Sequence, residues 1–149
     1  MKIKLGFSLI EVLVFVTILS LFFVAAMAIA TYSLRNMKIN QHKILASHYT
    51  EEGLEWVRSE KEDDWGQFTD RGATGTGITY CLIGLNWSTA TECGTNFELG
   101  IPPIFKREVN LINQVGNPVT QVNVTMAVSW IEGGTTLSIP INTTLKVLE

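Results

Sequence analysis

The chain has 149 residues, of which 46% are apolar, and its formal net charge at pH 7 is −3. The length suffices for one compact domain, and the slight acidity excludes generic electrostatic attraction to DNA. The apolar residues are unevenly distributed, because the longest uncharged run lies close to the N-terminus.

This run extends from Val12 to Leu34 and directly follows a single acid, Glu11. It is longer than the ~20 residues with which a helix crosses the hydrocarbon core of a bilayer. The run contains neither Gly nor Pro, and a segment that spans lipid must be helical because no water is present to satisfy an open backbone. A carboxylate in such a segment costs roughly 2–3 kcal/mol at the membrane centre and less towards the edge, so Glu11 is expected to have a partner.

Three interpretations of the N-terminal segment compete. An ordinary signal peptide would be cut after small residues such as Ala28-Ile29-Ala30. A plain signal anchor would stay attached to the chain. Glu11 fits both poorly, because a purely hydrophobic segment gains nothing from an acid. The third interpretation is a prepilin leader.

The segment from Gly6 to Val14, GFSLIEVLV, resembles the N-terminal signature of type IV pilins and of the pseudopilins of type II secretion and DNA-uptake machines. The family pattern is a short basic leader ending in Gly, then Phe, a small polar residue, two aliphatic residues, and Glu four positions after Phe. Each of these positions is filled. The resemblance implies cleavage between Gly6 and Phe7 by prepilin peptidase, N-methylation of Phe7, and a role for Glu11 in subunit assembly.

The chemistry agrees with this spacing. Cleavage before Phe7 would create a cationic amine at the positive end of the helix macrodipole. Glu11 lies one turn further on the same face, so its carboxylate can neutralise the amine of its own chain or that of a neighbouring subunit. The resemblance favours the pairing between subunits.

The resemblance further implies a minor type IV pilin or pseudopilin, which is a structural subunit rather than an enzyme and needs no cofactor. The expected partners are other pilin or pseudopilin subunits, prepilin peptidase, the inner-membrane assembly platform and membrane lipid, with no small-molecule substrate. We expect a single-pass protein of the bacterial inner membrane that moves into an extracellular pilus or a periplasmic pseudopilus. The alternatives are an adhesive binding module at a filament tip and an exported protein released by ordinary signal peptidase.

Two departures from the family favour a minor subunit over a principal one. Major pilins usually carry a Pro in the membrane helix, whereas this sequence has none before Pro102. Many major pilins also close their C-terminal segment with a disulfide, and no Cys lies near this C-terminus.

The pattern predicts that the helix continues beyond the membrane run. No Pro occurs between Leu34 and Glu62, and Gly53 is expected to mark a bend or close packing because Gly costs about 1 kcal/mol relative to Ala in a helix. We therefore predict a leader over 1–6, a membrane half of the helix over 7–33 and an amphipathic half over 34–62. Apolar or aromatic residues and Gly53 recur at helical spacing at Leu34, Met37, Ile44, Leu45, His48, Tyr49, Gly53, Trp56 and Val57.

Residues 63–149 are predicted to form a globular head. The stretch 66–77 is rich in Gly and Thr and is predicted to be a connecting loop, because GATGTG lacks the Lys of a nucleotide-binding loop. A short strand is predicted over 78–84 and irregular structure over 86–103. His42 and His48 are six residues apart and do not share a helical face as metal ligands would.

The last third predicts an antiparallel meander. Apolar and polar residues alternate over 105–111, 122–130 and 137–147, with Arg107 among the inward positions of the first strand. Turns are expected at Gly116-Asn117-Pro118 and Glu132-Gly133-Gly134. Pro140 lacks an N–H, which favours an edge strand or an outward-facing position. The predicted fold class is therefore α+β, with a long N-terminal helix packed on a C-terminal antiparallel sheet.

Cys81 and Cys93 are the two cysteines of the chain. In an exported domain they predict one disulfide, which stabilises by roughly 3 kcal/mol in the chain-entropy model. A zinc site would need further ligands, and a redox pair would favour C-x-x-C. The loop that the disulfide closes is a candidate recognition surface, although its Trp87 could equally pack underneath. Lys106-Arg107 could add a local basic patch.

Overall fold

The structure, a computed structural model, describes residues 8–87 and 90–147. It has the α+β layout predicted from the sequence, with a long N-terminal helix packed on an antiparallel sheet. The chain divides into two compact units, Met1–Gln41 and His42–Glu149. In chain order, the elements in the described ranges are α1 (Leu9–Asp63), α2 (Trp65–Asp70), β1 (Ile78–Cys81), β2 (Phe105–Asn113), β3 (Gln121–Glu132) and β4 (Thr135–Lys146).

The described part of the first unit is helical from Leu9 onward. Every residue from Ser8 to Arg35 is exposed, including the large apolar ones. By length and composition, α1 could span a membrane, since its apolar window reaches a mean hydropathy of 2.9 and none of that window is buried.

In the second unit, the sheet has the strand order β1-β2-β3-β4, and each neighbouring pair is antiparallel. The predicted meander is thus confirmed, although β1 ends at Cys81, earlier than expected. The turn between β3 and β4 consists of Gly133 and Gly134, with φ of 58° and 81°. A two-residue hairpin turn with positive φ at both positions suits Gly, which explains the predicted turn here.

The strands bury one face, as their alternation predicts. In β3, every second residue from Val122 to Trp130 is buried, and β2 buries Phe105, Arg107, Val109, Leu111 and Asn113. β4 is an edge strand, and its Pro140 is exposed. This placement avoids the loss of a ladder hydrogen bond that a central Pro would cause.

The second half of α1 covers this buried face with a narrow stripe. The predicted face was partly wrong, because Ile44, Leu45 and His48 are exposed. Small residues allow a helix backbone to approach a sheet closely. The close packing expected at Gly53 is confirmed, since an added Cβ there would lie 2.8 Å from Arg107 Cδ and 3.1 Å from Met126 Cε. The buried residues of the stripe are Ala46, Thr50, Gly53, Leu54 and Val57.

The predicted loop over 66–77 was also partly wrong, because it begins inside the short helix α2. Asp64 caps this helix, and its carboxylate accepts a hydrogen bond from the backbone N–H of Gln67 at 2.9 Å. Phe68 of α2 is buried in the core. The helix therefore anchors the chain to the core directly after α1 ends.

Candidate functional site

The N-terminus of α1 holds the first group of sequence-predicted site residues. Gly6 and Phe7 lie outside the described residues. The Ser8 carbonyl accepts hydrogen bonds from the backbone N–H groups of Glu11 and Val12, at 3.0 and 3.2 Å. Ser8 therefore occupies the N-cap position and Glu11 the third helical position, which is the spacing of a capping box. A carboxylate in the first turn is also favoured by the helix macrodipole.

The Glu11 carboxylate has no side-chain hydrogen bond or ion pair within residues 8–87 and 90–147. Its helix neighbours are apolar and exposed, with Leu9 at 83%, Ile10 at 64% and Leu13 at 54%. A charge surrounded by apolar side chains is costly once water leaves this surface. Any partner of this carboxylate must therefore come from outside the described residues.

Three hydroxyl groups in the apolar part of α1 bond to the backbone of the preceding turn. Thr17 Oγ1 donates to the Val14 carbonyl, Ser20 Oγ to the Thr17 carbonyl and Thr31 Oγ1 to the Met27 carbonyl, each at 2.8 Å. Such bonds to the preceding turn remove the need for water at a buried hydroxyl. Glu11 differs from these three residues, because it carries the one charge between Leu9 and Leu34 and the helix does not satisfy its side chain.

The disulfide expected between Cys81 and Cys93 is present, with a Cα–Cα distance of 4.8 Å. It joins the end of β1 to the loop before β2. Two further contacts fasten this loop to β2: the Cys93 N–H donates to Glu108 Oε1 at 2.7 Å, and Lys106 Nζ donates to the Gly94 carbonyl at 3.0 Å. The loop is thus held against β2 at Cys93 and Gly94.

Trp87 packs beneath the disulfide loop, which settles the alternative left open by the sequence. Its ring centroid lies 4.8 Å from that of Trp56 and 5.1 Å from that of Tyr80. Its Nε1–H donates to Glu60, and the Arg71 guanidinium lies 4.8 Å above the ring. The side chain is therefore partly buried and packs against the core of the head.

The suggested basic patch at Lys106-Arg107 was wrong, because Arg107 is 1% exposed. Its guanidinium donates to the carbonyls of Leu82 and Tyr49, at 2.9 Å each, and to Glu52 Oε2 at 2.8 Å. This contact set joins α1, β2 and the end of β1. Sequence reasoning placed Arg107 on the inward face but did not find Glu52, which lies 55 residues earlier.

The two histidines have different surroundings. His42 Nδ1 lies 2.7 Å from Glu132 Oε2, at the end of β3, whereas His48 is exposed. In the described ranges, no group of three or more His, Cys, Asp and Glu residues could hold a metal ion. The His42–Glu132 contact joins residues 90 positions apart, and nothing local in the sequence indicates it.

Comparisons with protein-family models, with curated proteins and with solved structures found no match. Inference about function therefore depends on the residues of this chain. Among the sequence-predicted site residues, the structure positions Glu11 at one end of α1 and the disulfide in the head.

Proposed function

We propose that this chain is a minor type IV pilin or pseudopilin, a membrane-inserted subunit that is built into a filament. The proposal is carried by Glu11, an acid on the first turn of an apolar helix with no side-chain partner within the described residues. It is supported by the order of the parts, since an apolar helical segment leads without a break into a helix packed on a disulfide-containing sheet. The same order of parts is implied by the resemblance of residues 6–14 to the pilin signature.

The first proposed step is removal of the leader. Hydrolysis of the Gly6–Phe7 peptide bond consumes one water, leaves a carboxylate on Gly6 and frees an amine on Phe7. This step takes Lys2 and Lys4 away and leaves 9 basic against 14 acidic residues. The mature chain then begins with a cation one helical turn from Glu11.

The second proposed step is pairing between subunits. In an apolar environment an isolated carboxylate is strongly disfavoured, and a cation from another chain stabilises it by forming an ion pair. The Phe7 amine of one subunit and the Glu11 carboxylate of the next form such a pair, so each added subunit offers a new amine and a new acid. The pair draws the apolar helix out of the lipid and into the growing filament.

The helix also supports a minor rather than a principal subunit. α1 is a single helix from Leu9 to Asp63 and contains no Pro. The resemblance associates a Pro in this region with the principal subunits, in which it allows the helix to loosen. A subunit without it is proposed to begin or modify the filament rather than to form its bulk.

The test is incorporation of Glu11 variants. Glu11→Ala and Glu11→Gln are expected to insert into the membrane normally and to lose filament incorporation by roughly a hundredfold, since breaking a buried charge pair costs about 3 kcal/mol or more. Incorporation is measured by quantifying the chain in sheared, purified filaments from cells that carry the partner subunits. Glu51→Ala is the matched control, because Glu51 is an exposed acid of the same helix.

Two results would contradict the proposal. Equal incorporation of the Glu11 variants and the wild type would remove the assembly role of this carboxylate. A mature protein whose intact mass corresponds to a start after Ala30, or to an uncut chain, would exclude the prepilin interpretation. The mass expected is that of a methylated chain starting at Phe7, and Gly6→Ile is expected to leave the leader attached.

A further inference from the structure

The head has two ends, and the chain enters at one of them. His42, the first residue of the second unit, contacts both the start of β2 and the end of β3: its ring centroid lies 5.9 Å from that of Phe105, and its Nδ1 lies 2.7 Å from Glu132. We call this end the His42 pole, formed by His42, residues 99–105 and the β3–β4 turn. The opposite end is the Val115 pole, formed by residues 114–120, where Trp65 Nε1 donates to the Val119 carbonyl at 2.9 Å.

The His42 pole presents a rigid apolar tip. Leu99 and Phe105 exchange two backbone hydrogen bonds, of 2.9 and 3.1 Å, and so close the turn between them. Ile101 is at the tip of this turn and is fully exposed, and Pro102 and Pro103 beside it are exposed as well. An exposed Ile on a closed, proline-stiffened turn can enter an apolar medium with little further loss of conformational entropy.

Only the His42 pole is within short reach of the apolar helical segment along the chain. His42 follows Leu34, the last residue of the uncharged run, by eight residues. Eight residues span at most about 29 Å even when fully extended. If the run is inserted in a bilayer, the chain therefore allows the His42 pole to reach the lipid surface at which the run ends.

The charges of α1 favour the same surface. From Val12 to Thr50 the sequence has no acid, whereas Arg35, Lys38 and Lys43 are exposed cations. Beyond Thr50 the helix becomes acidic, with Glu51, Glu52, Glu55, Glu60, Glu62 and Asp63. An anionic phospholipid surface attracts the first part of this sequence and repels the second.

Two acids lie at or beside the His42 pole, and the three exposed cations of α1 outnumber them. Glu132 is largely covered, since its side chain is 14% exposed and its Oε2 lies 2.7 Å from His42 Nδ1. Glu98, three residues before Ile101, is exposed and opposes the attraction to anionic lipid.

We infer that, before assembly, the His42 pole of the head docks on an anionic phospholipid surface, with Ile101 inserted among the lipids. The inference rests on the proposed function only through insertion of the apolar helix in a membrane. Docking places the head where a membrane-bound subunit waits, and it must be released when the subunit leaves the lipid. The lipid surface therefore competes with neighbouring subunits for this end of the head.

The test is photocrosslinking in the full-length chain with p-benzoylphenylalanine at Ile101 or at Val115. Both side chains are exposed, at 102% and 93%, so neither substitution disturbs the core, and Val115 is a matched apolar control at the opposite pole. The chain is reconstituted without any partner subunit in vesicles of phosphatidylethanolamine and phosphatidylglycerol. Lipid adducts are expected at position 101, and lipid adducts at position 115 are expected to stay at background.

Charge is tested with the variants Lys38→Gln and Lys43→Gln. Each is expected to lower the ratio of docked to undocked heads by roughly fivefold in the anionic vesicles and to have little effect in vesicles of phosphatidylcholine. Absence of lipid adducts at position 101, equal yields at 101 and 115, or adducts at 101 only to a second copy of the chain would each overturn the inference. Because no filament forms in this experiment, its failure leaves the test of Glu11 unaffected.

Discussion

The two parts of α1 are covered in different ways. From Leu9 to Leu34 every side chain is exposed, although most are apolar. From Ala46 to Val57 the helix buries a narrow stripe of mostly small residues against the sheet. Both parts have the same helical backbone, so the difference in side-chain exposure depends on which surface packs against each part.

The difference shows how two kinds of surroundings constrain a sequence. Under the proposed function the first part is covered by lipid, which is fluid and adapts to the shape of a side chain, so this part needs apolar character but no particular shape. The sheet is a fixed surface, so the second part needs small side chains at the closest approach and a specific partner for each polar group. Substitutions should therefore be tolerated in the first part and costly in the second.

The largest expected effect is at Arg107, which joins the fixed surface to the second part of α1. Arg107→Met keeps the length of the side chain but removes the charged donor that bonds the carbonyls of Leu82 and Tyr49. A hydrogen bond to a charged group is worth about 1.5–3 kcal/mol, so loss of both bonds should lower the free energy of unfolding by roughly 4 kcal/mol. The measurement is urea unfolding of the full-length chain in detergent, followed by Trp fluorescence.

Arg58→Met is the control for charge. Arg58 pairs with Glu55 on the exposed side of the same helix, with 44% and 69% of the two side chains exposed. An exposed pair is worth at most about 1 kcal/mol, and this control should lie close to the wild type. If both variants lost the same stability, the buried contacts of Arg107 would not be what fastens α1 to the sheet.

A matched pair of Leu→Ala changes tests the comparison more directly. Leu54 is 5% exposed and packs in the core of the head, whereas Leu21 is 72% exposed in the first part. Leu54→Ala should lower the free energy of unfolding of the head by about 3 kcal/mol through lost burial and a residual cavity. Leu21→Ala should leave that quantity unchanged in the same urea titration. A loss at Leu21 comparable to that at Leu54 would show that the two parts are not independently covered.

The sequence predicted most of the sheet because alternation is a local signal. The inward positions of β2 and β3, the Gly133-Gly134 turn and the edge position of Pro140 all follow from residues within a few positions of each other. The helix α2 was missed because its six residues are too few to show a helical period, and Gly66 suggested a loop. Its signal was the cap, since Asp64 precedes Gln67 by three residues.

The site was predictable only where its signal is local. Glu11 stands out within an apolar run, and two cysteines in a sequence that also has an apolar N-terminal segment predict one bond. The ion pair of Arg107 with Glu52 and the contact of His42 with Glu132 join distant segments, and no local pattern marks them. The stripe on α1 was displaced for a related reason, because Ala46 and Thr50 carry little hydrophobic signal and are buried for their small size.

The smallest effect is expected at Gly53, where two opposing terms nearly cancel. Gly53→Ala should gain about 1 kcal/mol of helix propensity, yet the new Cβ would lie 2.8 Å from Arg107 Cδ. Overpacking typically costs about 1–3 kcal/mol, and the Arg107 side chain is held by hydrogen bonds and cannot easily shift, so we expect a net loss of about 1 kcal/mol. Ser59→Ala, on the exposed side of the same helix, should raise the free energy of unfolding slightly, because Ala has the higher helix propensity. If Gly53→Ala were more stable than the wild type in the urea titration, the sheet would have shifted to accommodate the new side chain. The sheet would then not be the fixed surface that this comparison assumes, at the point where it lies closest to the backbone of α1.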